Sequence, residues 1–340
     1  MQPMKDDTML HEQINVLRDM IPENGLSVTA EEICALVENK DLHLSDILSL
    51  TDQIRRAHKN NRVFLCSITN AKSGKCSQNC AFCAQSSFHE TRIETYPLLS
   101  VDELTEKAFF MEKKGATHYS IVTSGHSLNE AEIDRICQAV EIIVKKTRLT
   151  ICGSLGMLSQ AGAKKLISSG MTRYHHNLET ARSHFDKICT THSYDEDLDT
   201  IHTAVDNGFA VCSGGIFGLG ESWKQRVELA FTLKGLPVDT IPVNFLNPVK
   251  GTRLQDMPLL SPRDALLCIA IMRLVNPEKS ITVCGGREIT LKDFQSWVFK
   301  AGANGLMIGN YLTTSGRDIA MDMDMVRDCG HTVTMDEARG

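Results

Sequence analysis

The chain has 340 residues, with 36 Lys and Arg against 42 Asp and Glu, and a formal net charge of -6 at pH 7. The sequence contains no Lys/Arg run with interleaved aromatic residues, which argues against a nucleic-acid partner. No stretch approaches the ~18 apolar residues of a membrane span, and charges occupy the N-terminal region where a signal peptide has an apolar core, so we expect a cytoplasmic protein with no membrane partner.

The first sixty residues predict an N-terminal helical extension. Thr29 and Glu32 have the spacing of a capping box before the run AEEICALVE, and LSDILSLTDQIRRAHK has the pattern of a second amphipathic helix. No linker rich in Pro or Ser follows. We therefore predict a helical extension over residues 1–60, one large domain over 61–320 and a C-terminal tail over 321–340.

From Val63 onward, one unit repeats in outline: a helix-capping signal, an amphipathic helix, a glycine that ends it and a short apolar strand. Helix starts are predicted at Ser100, Ser193 and Ser261, and helix ends near Gly115, Gly170, Gly208 and Gly305. The predicted strands are VFLCSIT, HYSIVTS, LTICGS, RYHHN, FAVCSG, TIPVNF, ITVCGG and LMIG. Eight short apolar strands alternating with helices predict an α/β fold, a (β/α)8 TIM-type barrel.

A cysteine loop follows the first predicted strand, with Cys76, Cys80 and Cys83 in the run CSQNCAFC. Structural zinc sites have four closed ligands, and electron-carrying clusters recruit a fourth cysteine. Three cysteines at this spacing can hold an iron-sulfur cluster and leave one of its irons without a protein ligand. The spacing resembles the signature of radical S-adenosylmethionine (SAM) enzymes, in which SAM chelates that iron. A zinc site or a disulfide loop is the alternative, although thiols stay reduced in the cytoplasm.

Four further cysteines fall on alternate predicted strands, the first, third, fifth and seventh. They are Cys66, Cys152, Cys212 and Cys284. Alternate strands supply the layers of side chains inside a barrel, so these thiols can converge at one height and form a cage for a second cluster. Alternatively they are small core residues, and a register shift of one residue would turn a thiol outward. We expect isolated cysteines such as Cys189 to be packing or surface residues.

Seven motifs in order from about Val63 to Thr314 resemble the biotin synthase family. They are the cysteine loop, LTICGSLGML, YHHNLET, VCSGGIFGLGE, NFLNPVKGT, CGGRE and AGANGLMIGNYLTT. The resemblance implies a homodimeric radical SAM enzyme that converts dethiobiotin to biotin, served by a small electron donor of the flavodoxin or ferredoxin type. A 5′-deoxyadenosyl radical removes hydrogen from the substrate, and an auxiliary iron-sulfur cluster donates the sulfur.

The resemblance also assigns residues to SAM. Phe82, inside the cysteine loop, and Ile216, after the fifth strand, match positions near the adenine. Asn177 and Glu179 match positions that bind the ribose. Without the resemblance, an apolar plug and strand-end caps are the simpler interpretations of these residues.

A second set of positions matches contacts to dethiobiotin. Asn177 and Asn244 correspond to the two residues that bind the ureido group, which suits an amide because it both donates and accepts hydrogen bonds. Thr313 and Thr314 correspond to the loop that receives the substrate carboxylate, although Thr pairs are common in loops for local reasons.

Two departures concern the auxiliary cluster. Ser120 stands where the family has a cysteine on the second strand, and Thr282 stands where it has an arginine on the seventh. A hydroxyl is a poor ligand for a soft metal site. We therefore expect an atypical member, in which the cysteines of the first and seventh strands join Cys152 and Cys212 and hold a four-iron auxiliary cluster rather than a 2Fe-2S one.

Two further departures lie near the SAM positions. Asp197 replaces an arginine that pairs with the SAM carboxylate, and an acid there repels it. Arg173, Arg182 and His192 are candidates to supply the missing cation, and the sequence does not choose among them. His175 replaces an asparagine and is interpreted as a strand-end histidine.

Three other functions fit part of this pattern. A related radical SAM maturase or mutase with another small substrate shares the barrel and the cysteine loop, but it has no need of paired ureido-binding asparagines. A non-enzymatic iron-sulfur carrier needs the cysteines without the SAM positions. A zinc-binding structural protein needs neither SAM nor substrate positions.

Overall fold

The structure, a computed structural model, describes residues 28–39 and 43–335. Within these ranges the chain forms ten strands. They are β1 Arg62–Lys72, β2 His118–Thr123, β3 Thr150–Ser154, β4 Arg173–His175, β5 Ala210–Cys212, β6 Gly215–Phe217, β7 Thr240–Phe245, β8 Ser280–Val283, β9 Gly305–Met307 and β10 Thr332–Val333.

Twelve α-helices accompany the strands in the same ranges, with one 3-10 turn at Lys292–Phe294. They are α1 Ala30–Glu38, α2 Leu44–Lys59, α3 Val101–Lys113, α4 Glu130–Lys146, α5 Gln160–Ser168, α6 Arg182–Ile188, α7 Tyr194–Asp206, α8 Trp223–Gly235, α9 Pro262–Val275, α10 Arg287–Leu291, α11 Trp297–Lys300 and α12 Ile319–Asp328. No helix in the described part of the chain is long and apolar enough to span a bilayer.

Parallel pairing closes the sheet into a barrel. β1 pairs with β2 on one side and with β9 on the other, and the path between them runs through β3, β4, β5, β7 and β8. β6 follows β5 and also pairs with β7, so the two short strands form one stave of the barrel. All eight predicted strands are present as staves, which confirms the predicted (β/α)8 TIM-type fold.

The strand registers give the stagger of the barrel. Ile68 pairs with Ser120, and Ser120 pairs with Cys152. When the registers are followed from Ile68 through all eight staves, the path returns to the first stave level with position 60, just before β1. The displacement is 8 residues. This is the shear of TIM barrels, in which side chains at one height shift by one residue from each stave to the next.

Local signals behave largely as the sequence predicts. Ser100 and Ser193 form capping boxes with the Glu three residues later, and Ser261 accepts a hydrogen bond from the amide of Asp264. The predicted helix end at Gly305 is wrong, because Gly305 begins β9. A Cβ there would lie 2.3 Å from the Phe64 ring, so this glycine makes room for an aromatic side chain at the bottom of the barrel.

The flanking segments pack on the outside of the barrel. The two predicted N-terminal helices are present as α1 and α2, which contact α8 and α9 respectively, and residues 1–27 and 40–42 lie outside the described residues. The predicted C-terminal tail contains most of α12 and the strand β10, which pairs with the start of β1. The domain boundaries at 60 and 320 stay a prediction.

Candidate active site

The staves surround a cavity with about 1520 Å³ of empty volume, including the part open to solvent. Most of the predicted site residues line it. They are Cys66, Phe82, Cys83, Cys152, Asn177, Glu179, Cys212, Ile216, Asn244, Cys284, Thr313 and Thr314.

The cysteine loop borders this cavity through Phe82 and Cys83, whereas Cys76 and Cys80 are not among the lining residues. Backbone hydrogen bonds hold the loop. The amide of Cys76 donates to the carbonyl of Gln85 at 3.0 Å, and the amide of Cys83 donates to the carbonyl of Cys80 at 3.0 Å. Arg253 donates to the carbonyl of Asn79 at 2.9 Å. Main-chain hydrogen bonds therefore fix the conformation of the loop.

The thiols of the cysteine loop do not converge on one point. Within residues 28–39 and 43–335, no three His, Cys, Asp or Glu side chains converge as ligands of one metal ion. The thiolates of a 4Fe-4S cluster bind different irons and need not converge in this way. Burial raises the pKa of Cys83 to about 11, and metal binding would replace the thiol proton.

A fourth thiol, which the sequence predicts to be a packing residue, contacts the cysteine loop. The Sγ atom of Cys189 lies 3.8 Å from Sγ of Cys80 and 3.3 Å from Nδ1 of His192. The hydrogen bond with Cys80, followed by those with His192 and Thr191, outweighs burial and lowers the pKa of Cys189. Cys189 lies 109 residues from Cys80 along the chain, so no local sequence signal indicates the contact.

Phe82 and Ile216 meet in a small hydrophobic cluster that is separate from the main core. Ile188, Leu219 and Leu246 form its buried part. Both predicted adenine-side residues therefore present one continuous apolar surface beside the cysteine loop. An aromatic base stacks favourably on such a surface.

Asn177 and Glu179 lie together at the end of β4. Nδ2 of Asn177 donates to Oε2 of Glu179 at 3.3 Å, and Oδ1 of Asn177 accepts from the amide of Gly214 at 3.2 Å. Glu179 has φ 61, a left-handed conformation that costs roughly 1–3 kcal/mol for a non-glycine residue and is typical of functional sites. Burial, and then the charge of Asp197, raise the pKa of Glu179 to about 8.

Asp197 does not face the cavity as a free acid. It is 3% exposed, and its carboxylate lies 2.8 Å from Nε2 of His176 and 3.5 Å from Nε2 of His192. Arg182 instead forms an exposed ion pair, and Arg173 lies at the bottom of the cavity. Of the three candidate cations, His192 is the one that lies near Asp197. The imidazole groups of His176 and His192 offset the negative charge of Asp197 that would repel the SAM carboxylate.

Asn244, a predicted substrate residue, lies on β7, on the other side of the Gly214–Gly215 stretch from Asn177. Oδ1 of Asn244 accepts from the amide of Gly285 at 3.0 Å, and its Nδ2 donates to the carbonyl of Gly215 at 3.3 Å. Thr313 and Thr314 lie in the loop after β9 and line the same cavity. The side chain of Asn244 is thus held with its amide at the cavity wall.

The four cysteines of the predicted cage all line the cavity, but they do not lie at one height. The one-residue shift per stave places Cys66, Cys152, Cys212 and Thr282 in one layer. Cys284 is two residues farther along its stave, roughly 6.5 Å closer to the mouth. The prediction of four thiols in one layer is therefore wrong. The four cysteines therefore occupy two levels of the barrel interior, three in one layer and the fourth above it.

The thiols in the cage interact with one another. Cys152 and Cys212 share a hydrogen bond, which raises the pKa of Cys152 and lowers that of Cys212, and the charge of Arg173 lowers the latter further. Burial raises the pKa of Cys284 to about 12. Ser120 and Thr282 also line the cavity, as the predicted replacements of family ligands should.

The sequence gives no role at the cage to Arg173, although one signal is available. Inward-facing residues alternate along a strand, so Arg173 and His175 must face the same way as Asn177. All three line the cavity. Burial lowers the pKa of His175 to about 4, so this histidine is neutral within the barrel wall.

Two family models match the chain. The model of the Radical SAM superfamily matches residues 71–233, and the model of the Biotin and Thiamin Synthesis associated domain matches residues 242–332. Together the two matches cover the barrel from the end of β1 to β10.

Curated relatives match along almost their whole length. The chain is 52% identical over 320 residues to a biotin synthase of Syntrophus aciditrophicus, covering 94% of this chain and 98% of the relative. It is 46% identical over 326 residues to a biotin synthase of Citrifermentans bemidjiense, covering 96% and 99%. The prediction of an atypical member finds no support in similarities of this extent.

Solved structures share the fold at lower identity. A methylornithine synthase superposes with a TM-score of 0.80 at 20% identity, covering 96% of this chain and 97% of that one. A maturase of the FeFe-hydrogenase superposes with a TM-score of 0.80 at 18% identity, covering 96% and 76%. These likenesses support the barrel fold alone and do not favour a maturase or mutase function over the one named by the closer sequence relatives.

Proposed function

This chain belongs to the biotin synthase family, and from that premise we propose that it inserts sulfur into dethiobiotin to form biotin, with each predicted site residue in the role given below. The observation that carries the proposal is one cavity with a three-cysteine loop at its mouth and a second set of thiols at its base. When bound, a 4Fe-4S cluster with SAM supplies a radical able to take hydrogen from an alkyl carbon, and an auxiliary cluster supplies the sulfur.

In this proposal Cys76, Cys80 and Cys83 hold the 4Fe-4S cluster and leave one iron for SAM. The support is the set of main-chain hydrogen bonds that fixes the conformation of the loop. Cys189 stays a neighbour of the loop rather than a ligand, because a fourth thiolate would occupy the iron that SAM needs.

SAM is proposed to lie along the upper wall of the cavity. Its adenine packs on the apolar surface of Phe82 and Ile216, and its ribose hydroxyls bind Asn177 and Glu179. The carboxylate of Glu179 can accept hydrogen bonds from both ribose hydroxyl groups, whereas the protonated carboxyl group accepts fewer hydrogen bonds. The ribose therefore favours the ionised form of a residue whose pKa is raised by burial.

Dethiobiotin is proposed to lie between SAM and the base of the cavity. The ureido group meets the amides of Asn177 and Asn244, which flank the Gly214–Gly215 stretch, and the carboxylate meets Thr313 and Thr314. Amides suit a ureido group because both donate and accept hydrogen bonds. A closed barrel wall keeps water away from the reacting carbons.

The auxiliary cluster is proposed to be a four-iron cluster bound by Cys66, Cys152, Cys212 and Cys284. The support is that all four cysteines line the cavity, three in one layer and one above it. Ser120 and Thr282 have hydroxyl groups, which are weak donors to iron in a sulfur-rich site.

Three further parts of the proposal follow from the family. The enzyme receives electrons from a small flavodoxin-type or ferredoxin-type protein, acts as a homodimer and is cytoplasmic. Size-exclusion chromatography with light scattering, and reduction assays with each class of donor, test the first two parts.

The deciding experiment combines iron analysis with a single turnover. The iron and sulfide contents of anaerobically reconstituted protein are determined, and its clusters are identified by Mössbauer spectroscopy. The protein is then incubated with SAM, reductant and dethiobiotin. We expect about eight irons in two four-iron clusters, together with biotin. A Cys80→Ala variant loses the SAM-dependent reaction, while Cys329→Ala, at an exposed cysteine, retains it. About four irons with SAM cleavage but no biotin would instead assign another substrate.

A further inference from the structure

A buried cation lies at the base of the cavity beneath the thiols. Arg173 is 3% exposed, and its Nη2 atom donates to Oγ1 of Thr240 at 2.5 Å and lies 3.6 Å from Sγ of Cys212. The barrel stagger places Arg173 and Thr240 one layer below the layer of Cys66, Cys152 and Cys212. The guanidinium therefore lies against the underside of the three-thiol layer.

A second basic side chain in this lower layer is neutral. His118 lines the cavity beside Arg173, and burial, together with the charge of Arg173, lowers its pKa to about 3. The Thr117 hydroxyl, 2.9 Å from Nδ1, donates to the carbonyl of Leu65 and so accepts from this nitrogen. Nε2 of His118 is buried and has no hydrogen-bond partner among the described residues. The positive charge of this layer is therefore that of Arg173.

We propose that Arg173 is the counter-charge of the auxiliary cluster and donates a hydrogen bond to the Cys212 thiolate that binds it. This inference rests on the proposed function, since it requires a cluster in the cage. A cluster bound by thiolates is anionic, and burying an anion is unfavourable unless a cation or hydrogen-bond donors compensate it. Hydrogen bonds from a cation to a thiolate are stronger than neutral ones.

The position of Arg173 separates this role from that of a ligand. Arg173 enters from β4 and from the lower layer, whereas Thr282, at the position of the family's arginine ligand, belongs to β8 and to the thiol layer. Net charge and hydrogen bonds to sulfur set the reduction potential of iron-sulfur clusters, so the role predicts a potential that depends on residue 173.

The test compares reconstituted full-length wild type with Arg173→Gln, Arg173→Lys and the control Arg182→Gln, whose arginine forms an exposed ion pair. Auxiliary-cluster iron is measured by Mössbauer spectroscopy and its midpoint potential by EPR-monitored redox titration. We expect Arg173→Gln to shift the midpoint potential to more negative values and to bind less auxiliary-cluster iron. Arg173→Lys should lie between Arg173→Gln and wild type, and Arg182→Gln should match wild type. SAM binding at the first cluster should be unchanged in every variant, which checks that the fold is intact.

Three outcomes would overturn part of this reasoning, and they are distinguishable. An unchanged potential and unchanged Mössbauer parameters in Arg173→Gln would overturn the counter-charge role. If Arg173→Gln binds no auxiliary iron, Arg173→Lys decides: recovered iron supports the role, and continued loss indicates packing instead. If wild type itself binds about four irons, the proposed auxiliary site fails before Arg173 is tested.

Discussion

Oδ1 of Asp197 accepts a 2.8 Å hydrogen bond from Nε2 of His176, which precedes it by 21 residues and belongs to the stretch that follows β4. The same oxygen lies 3.5 Å from Nε2 of His192. Burial would raise the pKa of Asp197, but the hydrogen bonds from His176 and His192 outweigh it and lower the pKa. The acid is therefore part of a buried network that joins the cysteine-loop side of the barrel to α7.

This network predicts a pH-dependent contribution to stability. Burial would lower the pKa of His192, but hydrogen bonds with Asp197 and Cys189 raise it to about 10. A carboxyl group whose pKa is lowered by folding stabilises the fold at pH values above its unfolded pKa. A histidine whose pKa is raised by folding stabilises the fold at pH values below its unfolded pKa. Both contributions are therefore complete between about pH 4 and 6.5. Asp197→Asn should therefore destabilise the protein by roughly 2 kcal/mol or more in that range, and by less as the pH rises through about 10.

Thermal unfolding of reconstituted protein from pH 5 to 10 measures this effect. Asp195→Asn is the matched control, because Asp195 has a 71% exposed side chain in a surface ion pair and should contribute roughly 0–1 kcal/mol. Equal losses for the two variants, or a loss independent of pH, would contradict the network.

Several features of the fold are predictable because their causes are local. A capping box such as Ser100 with Glu103 needs four residues, and a buried parallel strand is a short apolar run. The placement of Cys284 above Cys212 is different, since it depends on the stagger accumulated over all eight staves. Contacts between side chains far apart in the chain, such as Cys80 with Cys189, leave no spacing pattern to detect.

Glu179 should make SAM binding depend on pH. Its pKa is raised to about 8 by burial, and the proposed ribose contact requires the carboxylate, so the Kd for SAM should decrease as the pH rises through about 8. Below that pH the loss approaches tenfold per unit, because a proton must leave before SAM binds. Equilibrium binding to reconstituted protein between pH 6.5 and 9 measures the effect.

The matched variant for this prediction is Glu179→Gln, which keeps the shape of the side chain and removes its titration. We expect weaker binding that no longer changes with pH in this range. A wild-type Kd that is constant from pH 6.5 to 9 would show that Glu179 does not bind the ribose as a carboxylate.

The thiol cage predicts a specific loss of iron. Cys66→Ser/Cys284→Ser removes two of the four proposed ligands, so bound iron should fall from about eight to about four per chain while the first cluster remains. Biotin formation should be lost and SAM cleavage retained. The control Cys34→Ser/Cys329→Ser alters two cysteines outside the cavity lining and should keep all the iron. Unchanged iron and unchanged product in the first variant would remove Cys66 and Cys284 from the ligand set.

Asn244 should affect the substrate rather than SAM. Asn244→Ala removes an amide held at the cavity wall by Gly215 and Gly285, and leaving a ureido group without a partner costs about 1–3 kcal/mol. We expect dethiobiotin to bind roughly 10–100-fold more weakly with little change in the Kd for SAM. Asn207→Ala, at the outer end of α7, is the control. A change in SAM affinity equal to the change in dethiobiotin affinity would indicate general damage to the cavity.

Alanine substitutions at Gly214, in the barrel wall, and at Gly235, at the end of a helix, should have opposite effects on stability. A Cβ at Gly214 would lie 2.0 Å from the carbonyl oxygen of Pro242, a main-chain atom of β7 that cannot move without breaking the sheet. At Gly235, the last residue of α8, a Cβ would meet nothing within 4 Å, and Ala stabilises such positions by roughly 0.4–1 kcal/mol. We therefore expect Gly214→Ala to lower the apparent Tm strongly and to reduce auxiliary iron, because β5 carries Cys212, while Gly235→Ala keeps or raises the Tm. Parallel thermal scans and iron assays measure both effects. An unchanged Tm and iron content in Gly214→Ala would contradict the close approach of Gly214 to the carbonyl oxygen of Pro242.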